Sequence, residues 1–276
     1  MEKQLLTTTE FLDIKKTFDC GQCFRWNEIP DENGIAYSGI ASNYPAVFTQ
    51  ESGNIYVASG APLSFWRNYL DLDTDYREAD RRFSEIPWLD KCVNYGRGIR
   101  ILNQDPWEAL CSFIISQCNN ISRIKGIVEK FSSLYGNPVE TDSGIFYTFP
   151  SASVTASLNK SDLAPLRCGY RAPYITAAAK AVKSGETDLD YLKACPFSEA
   201  KESLKKLPGI GEKVANCAVL FGLHHMEAFP VDVWIKRALS EHFPKDFDPA
   251  SLGNMAGLAQ QYMFYCERES SKGGSE

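Results

Sequence analysis

Residues 204–220 read L-K-K-L-P-G-I-G-E-K-V-A-N-C-A-V-L, and this stretch limits the fold more tightly than any other. Apolar residues recur at helical spacing on both sides of P-G-I-G, so one helix is expected to end at Leu207 and a second to begin at Glu212. Helices joined by so few residues must turn back sharply, which Gly209 and Gly211 permit because they lack a Cβ. The turn also leaves the first N–H groups of the second helix uncovered, and those donors, at the positive end of the helix dipole, suit a phosphate. On this feature alone, a plain helical hairpin that needs only a tight turn stays open.

The surroundings add chemistry. Lys213 and Cys217 lie four apart and share a face of the second helix. Downstream, F-P-V-D-V-W-I-K-R-A-L puts Asp232 immediately before an amphipathic helix, where its carboxylate can cap the free N–H groups. A solvated lysine and an ordinary N-cap are the bland readings of these two residues.

The rest of the chain divides by texture. Residues 1–60 carry short alternating stretches (A-Y-S-G-I, P-A-V-F-T-Q, N-I-Y-V-A-S) between turn signals D-E-N-G and E-S-G-N, which predicts an antiparallel sheet. From Pro62 the periods are helical, and the second half is expected to be helical throughout, with a Ser/Thr/Asn-rich joint near 151–161. The fold class is α+β: an antiparallel β domain over 1–90, a helical domain over 91–270, and a flexible tail at 271–276.

Net charge is −6, which taken alone argues against a polyanion partner. The acidity is uneven. Residues 1–90 hold eight basic against fifteen acidic side chains, whereas 91–130 hold six against three and 160–213 hold ten against seven. A mildly basic middle allows a nucleic-acid face. No apolar run is long enough to span a bilayer and the N-terminus lacks the order of a signal peptide, so an intracellular protein is expected, without a membrane partner. Nine cysteines, an odd number, fit reduced thiols. Two of them form C-G-Q-C at 20–23, which has the spacing of a redox or metal pair but neither βαβ surroundings nor a second pair at matching spacing.

The hairpin, with a Lys two residues after its second Gly and a P-V-D stretch downstream, resembles the helix-hairpin-helix DNA glycosylase superfamily. In that superfamily a lysine amine attacks the sugar C1′ while an aspartate stabilises the positive charge that develops as the base leaves. The resemblance therefore implies Lys213 as nucleophile, Asp232 as electrostatic and proton-transfer partner, and lyase activity by β-elimination. Several members carry four closely spaced Cys near the C-terminus for an iron–sulphur cluster, but only Cys266 follows Asp232 here, so no cluster is expected. Further stretches resemble the 8-oxoguanine DNA glycosylases: G-Q-C-F-R-W, S-Q-C-N-N-I-S-R-I, G-Y-R-A-P-Y and A-G-L-A-Q-Q-Y-M-F.

Residue by residue, that resemblance implies a flipped base sandwiched between Phe264 and Cys217, read by Gln260 and lined by Pro230. Gly21 would present a backbone carbonyl to the N7 hydrogen that oxidation adds to guanine. Tyr170 would wedge into the stack, and Arg123 and Arg171 would donate to the orphaned cytosine. The family's three consecutive Asn appear as Cys118, Asn119 and Asn120, and its frequent His two residues past the Asp is Trp234. The implied partner is damaged double-stranded DNA, engaged by a monomer with no required cofactor; a structural monovalent cation at the hairpin stays open. So do a glycosylase for other oxidised or alkylated bases and a non-catalytic helix-hairpin-helix DNA-binding module.

Overall fold

A computed structural model describes residues 2–142 and 144–273 of the chain. Among these, strands β1 (Lys3–Thr8), β2 (Trp26–Ile29), β3 (Ile35–Ala41), β4 (Tyr44–Glu51) and β5 (Asn54–Ser59) form one antiparallel sheet in the order β1-β5-β4-β3-β2. Period-two alternation sets its register, with Tyr37 opposite Phe48 and Phe48 opposite Val57. All three are buried with Ile14 and Phe18 of helix α1 (Ile14–Asp19) and Trp66 of α2 (Leu63–Tyr69).

Helices build the remainder. α3 (Arg77–Phe83), α4 (Pro87–Gly96), α5 (Pro106–Ser116) and α6 (Ile121–Tyr135) precede a two-stranded hairpin, β6 (Pro138–Thr141) and β7 (Gly144–Tyr147). α7 (Ala152–Ser157), α8 (Lys160–Leu163), α9 (Ala172–Ser184), α10 (Leu189–Ala194) and α11 (Phe197–Lys205) follow, then α12 (Glu212–Phe221), α13 (Val233–His242) and α14 (Ala256–Gly273).

Two expectations need correcting. The second half is not helical throughout: P-V-E-T and G-I-F-Y pair as a hairpin, because β-branched and aromatic residues flank a turn and no helical period is available over so few positions. The joint at 151–161 holds two short helices, and its Ser and Asn are their caps. Ser151 Oγ accepts from the Val154 N–H, and Asn159 forms a capping box with Asp162. Of the expected tail at 271–276, residues 271–273 continue α14 and 274–276 lie outside the described residues.

Two apolar cores meet at a seam crossed by the G-Q-C-F-R-W segment. Cys23 and Trp26 enter the sheet core, whereas Cys20 and Phe24 enter the helical one. Trp26 stacks on Phe18 at 4.6 Å, and its Nε1 donates to the Tyr69 hydroxyl at 2.8 Å. Phe24 meets Phe113 of α5 edge-on at 5.9 Å. Since its side chains divide between the two cores, the segment is held on the seam.

Candidate active site

The expected hairpin joins α11 to α12. Gly209 has φ +79, and a Cβ there would fall 2.3 Å from the Tyr174 ring of α9, so both the conformation and the packing require glycine. Gly211 differs. It caps α12 without a side chain, and a Cβ on it would meet nothing within 4 Å. The acidic Glu212 beside this open turn is bonded by Lys201 and Lys205, each at 3.0 Å, which hold its carboxyl down at about 2.

One turn into α12, Lys213 and Cys217 line a cavity of about 770 Å³. The Lys213 Nζ lies 5.9 Å from the Phe113 ring centroid. Burial pushes the Cys217 thiol up, against the pull of the neighbouring Lys213. Asp232, Pro230 and Trp234 line the same space. Asp232 is the N-cap of α13, and its Oδ1 accepts from the N–H groups of Trp234 at 3.0 Å and Ile235 at 2.9 Å.

α14 forms another wall through Gln260 and Phe264. The Gln260 Oε1 is buried and has no hydrogen-bond partner among the described residues, a costly condition for an amide acceptor unless a ligand supplies the donor. Gly21 has φ +84, and a Cβ on it would sit 3.4 Å from Phe264 Cε1. Its neighbours are tied down. Gln261 Nε2 donates to the Cys20 carbonyl at 2.7 Å, and the Gln22 amide donates to the Arg100 carbonyl at 2.7 Å while accepting from the Leu102 N–H at 2.9 Å. Cys20 and Cys23 are free, buried thiols whose protons face the carbonyls of Thr17 and Phe18, and burial pushes Cys20 up to about 12. A group so hard to ionise is a packing residue and a poor nucleophile.

The loop between α5 and α6 brings Cys118, Asn119 and Asn120 to the cavity. Cys118 is exposed at φ +47, Asn119 Nδ2 donates to the Ile115 carbonyl at 3.2 Å, and Asn120 Oδ1 caps α6 through the Arg123 N–H at 2.9 Å. Arg123, Tyr170 and Arg171 gather beside this loop and do not line the cavity. The Arg171 side chain is buried, and its guanidinium donates to the carbonyls of Gln117, Cys118 and Cys168. Tyr170 is 51% exposed with its hydroxyl 3.4 Å from the Gln117 carbonyl, and Arg123 Nη2 donates to the Arg167 carbonyl at 3.1 Å.

Among the lining residues that sequence reasoning did not single out are Phe113, Lys236, Gln261 and Arg268. Lys236 is four residues past Asp232 and Arg268 four past Phe264, so helical spacing carried a signal for both. A second hollow of about 550 Å³ meets a different face of α14 at Tyr262. Its cations already have partners, Arg77 with Asp75 and Arg81 with Glu78 and Glu85.

Residues 4–110 match the family described as 8-oxoguanine DNA glycosylase, N-terminal domain, and residues 111–251 match HhH-GPD superfamily base excision DNA repair protein. The N-glycosylase/DNA lyase OGG1 of Arabidopsis thaliana is 32% identical over 97% of this chain and 80% of its own length. The N-glycosylase/DNA lyase of Saccharomyces cerevisiae is 34% identical over 82% of this chain and 67% of its own. Among solved structures, the Clostridium acetobutylicum 8-oxoguanine glycosylase/lyase, in complex with dsDNA containing cytosine opposite to 8-oxoG, superposes with a TM-score of 0.87. The two are 36% identical, and the match covers 95% of this chain and 93% of that one.

Proposed function

Because the chain belongs to the 8-oxoguanine DNA glycosylase family of the HhH-GPD base excision repair superfamily, we propose that it excises 8-oxoguanine from duplex DNA and then nicks the strand. The observation that carries the assignment is the convergence of Gly21, Lys213, Cys217, Asp232, Gln260 and Phe264 on one cavity. Within it the Gln260 acceptor waits for a donor.

The flipped base enters between Phe264 and Cys217, and a donor on its Watson–Crick edge satisfies Gln260. The Gly21 carbonyl accepts the N7 hydrogen of the lesion and repels the bare N7 lone pair of normal guanine. The neutral Lys213 amine attacks C1′, the electrons of the glycosidic bond leave with the base, and Asp232 stabilises the sugar cation and accepts the amine proton. The nitrogen lone pair then opens the sugar ring, breaking C1′–O4′ as the imine C=N bond forms and O4′ takes a proton; the imine acidifies the C2′ hydrogen, whose loss expels the 3′ phosphate and breaks the strand.

Outside the cavity, Tyr170 wedges the stack, and the open backbone at Gly209 and Gly211 takes a phosphate. Trp234 packs on a sugar, and the Cys118–Asn120 loop fills the vacated space. Arg123 and Arg171 donate to the orphaned cytosine, which requires Arg171 to release a carbonyl of that loop. The chain acts on damaged double-stranded DNA as a monomer, and any monovalent cation at the hairpin would be structural. Among the described residues no helix is long and apolar enough to cross a membrane.

Borohydride reduction tests the proposal. Duplex containing 8-oxoguanine should give a covalent protein–DNA adduct, and Lys213→Gln should reduce both adduct and strand cleavage on the order of a thousandfold or more. Folded protein that gives no adduct would refute the assignment.

A further inference from the structure

We infer that Gln261 is a positioning residue for lesion selectivity: by holding the Cys20 carbonyl it fixes the peptide groups that aim the Gly21 carbonyl into the cavity. The inference rests on the 8-oxoguanine reading of the site. Gln260 and Gln261 are consecutive on α14, so their side chains leave the helix about 100° apart. One carries the unpaired acceptor of the cavity; the other donates at 2.7 Å to the residue before Gly21. Both are buried, at 4% and 2% exposure.

The hydrogen bond spans 241 positions, and other amides answer it from the far side of Gly21. Gln104 Nε2 donates to the Gln22 carbonyl at 2.8 Å, and the Gln22 side chain joins the backbone of Thr17, Arg100 and Leu102. Gly21 has no side chain of its own, and at φ +84 it rests in a conformation that glycine leaves as readily as it enters. Its carbonyl direction is therefore set by the two flanking residues. Of the three glutamines, Gln261 alone sits on α14 beside the base-reading Gln260, so this single bond keeps reader and base pocket in register.

The distance between an N7 hydrogen and a carbonyl decides whether the lesion is favoured and guanine repelled. Loosening the carbonyl should therefore cost lesion excision more than any step that ignores the base. β-Elimination at a preformed abasic site is such a step, since it uses Lys213 and no base.

The test compares excision of 8-oxoguanine with cleavage at a preformed abasic site in the same duplex, for wild type, Gln261→Met and Gln261→Glu. The Met variant removes the donor at nearly constant volume, and the Glu variant sets a second acceptor against the Cys20 carbonyl. Excision should fall about tenfold relative to abasic-site cleavage in Gln261→Met, and further in Gln261→Glu. Parallel loss of both activities would mean a merely structural role and overturn the inference, as would excision unchanged in both variants. Wild-type protein that leaves 8-oxoguanine intact would instead overturn the reading of the site.

Discussion

The two loops that border the cavity are built in opposite ways. The segment around Gly21 is closed off from solvent: Cys20, Gln22 and Cys23 are 1%, 0% and 3% exposed, and amides hold it on both sides. The loop at Gln117–Asn120 is exposed at Cys118, bends through a positive φ on a residue that resists one, and is tied through its carbonyls to Arg171. The difference fits the work proposed for each. A surface that tests one hydrogen on a base must stand still, and a segment that fills the space behind an extruded nucleotide must be able to rearrange.

Removing the ring that anchors the first loop is the harshest challenge to that contrast. Trp26→Ala should lower unfolding free energy by about 3–5 kcal/mol, measured by urea denaturation, because a fully buried indole leaves both a cavity and an unpaired Tyr69 hydroxyl. A loss below about 1 kcal/mol would show that Gly21 does not depend on the sheet core. The second loop is tested through Arg171→Met. Stability should fall by about 1–3 kcal/mol as buried carbonyls lose their donor, while discrimination between opposite bases should relax more than the excision rate opposite cytosine. Equal loss opposite all four bases would make this loop as much a part of lesion reading as the first.

Cys118→Asn carries the smallest expected effect. Asn tolerates left-handed backbone better than Cys, so a gain of up to about 1 kcal/mol in a thermal melt is expected, with a sharper preference for cytosine. A drop in stability would indicate that the thiol makes a contact worth more than the backbone strain.

The same contrast separates what could be read in the chain from what could not. The hairpin, the Lys213–Cys217 face and the Asp232 cap were legible because each depends on residues within four positions of one another. That Gly21 and Phe264 would meet at one cavity was legible only through family likeness, since nothing local marks either residue. The amide shell left no trace in the sequence: Gln22 bonds to Arg100 across 78 positions, Gln104 to Gln22 across 82 and Gln261 to Cys20 across 241. Arg171 was expected to face DNA, and its bonds to Gln117 and Cys118 depend on two loops more than fifty residues apart, which no periodicity encodes. The β6–β7 hairpin was missed for a different reason, as four-residue strands are too short to outweigh the helical texture around them.

Amides neither titrate near neutrality nor yield readily to the oxidants that attack thiols and guanine. The groups holding Gly21 in place are carboxamides and backbone carbonyls, and the two sulphur atoms beside it are sealed from solvent. A protein that removes oxidised guanine is needed most when oxidants are abundant. The element proposed to discriminate the lesion is therefore assembled from groups that such conditions leave unchanged, and Cys118, an exposed thiol bordering the cavity, lies on the other loop.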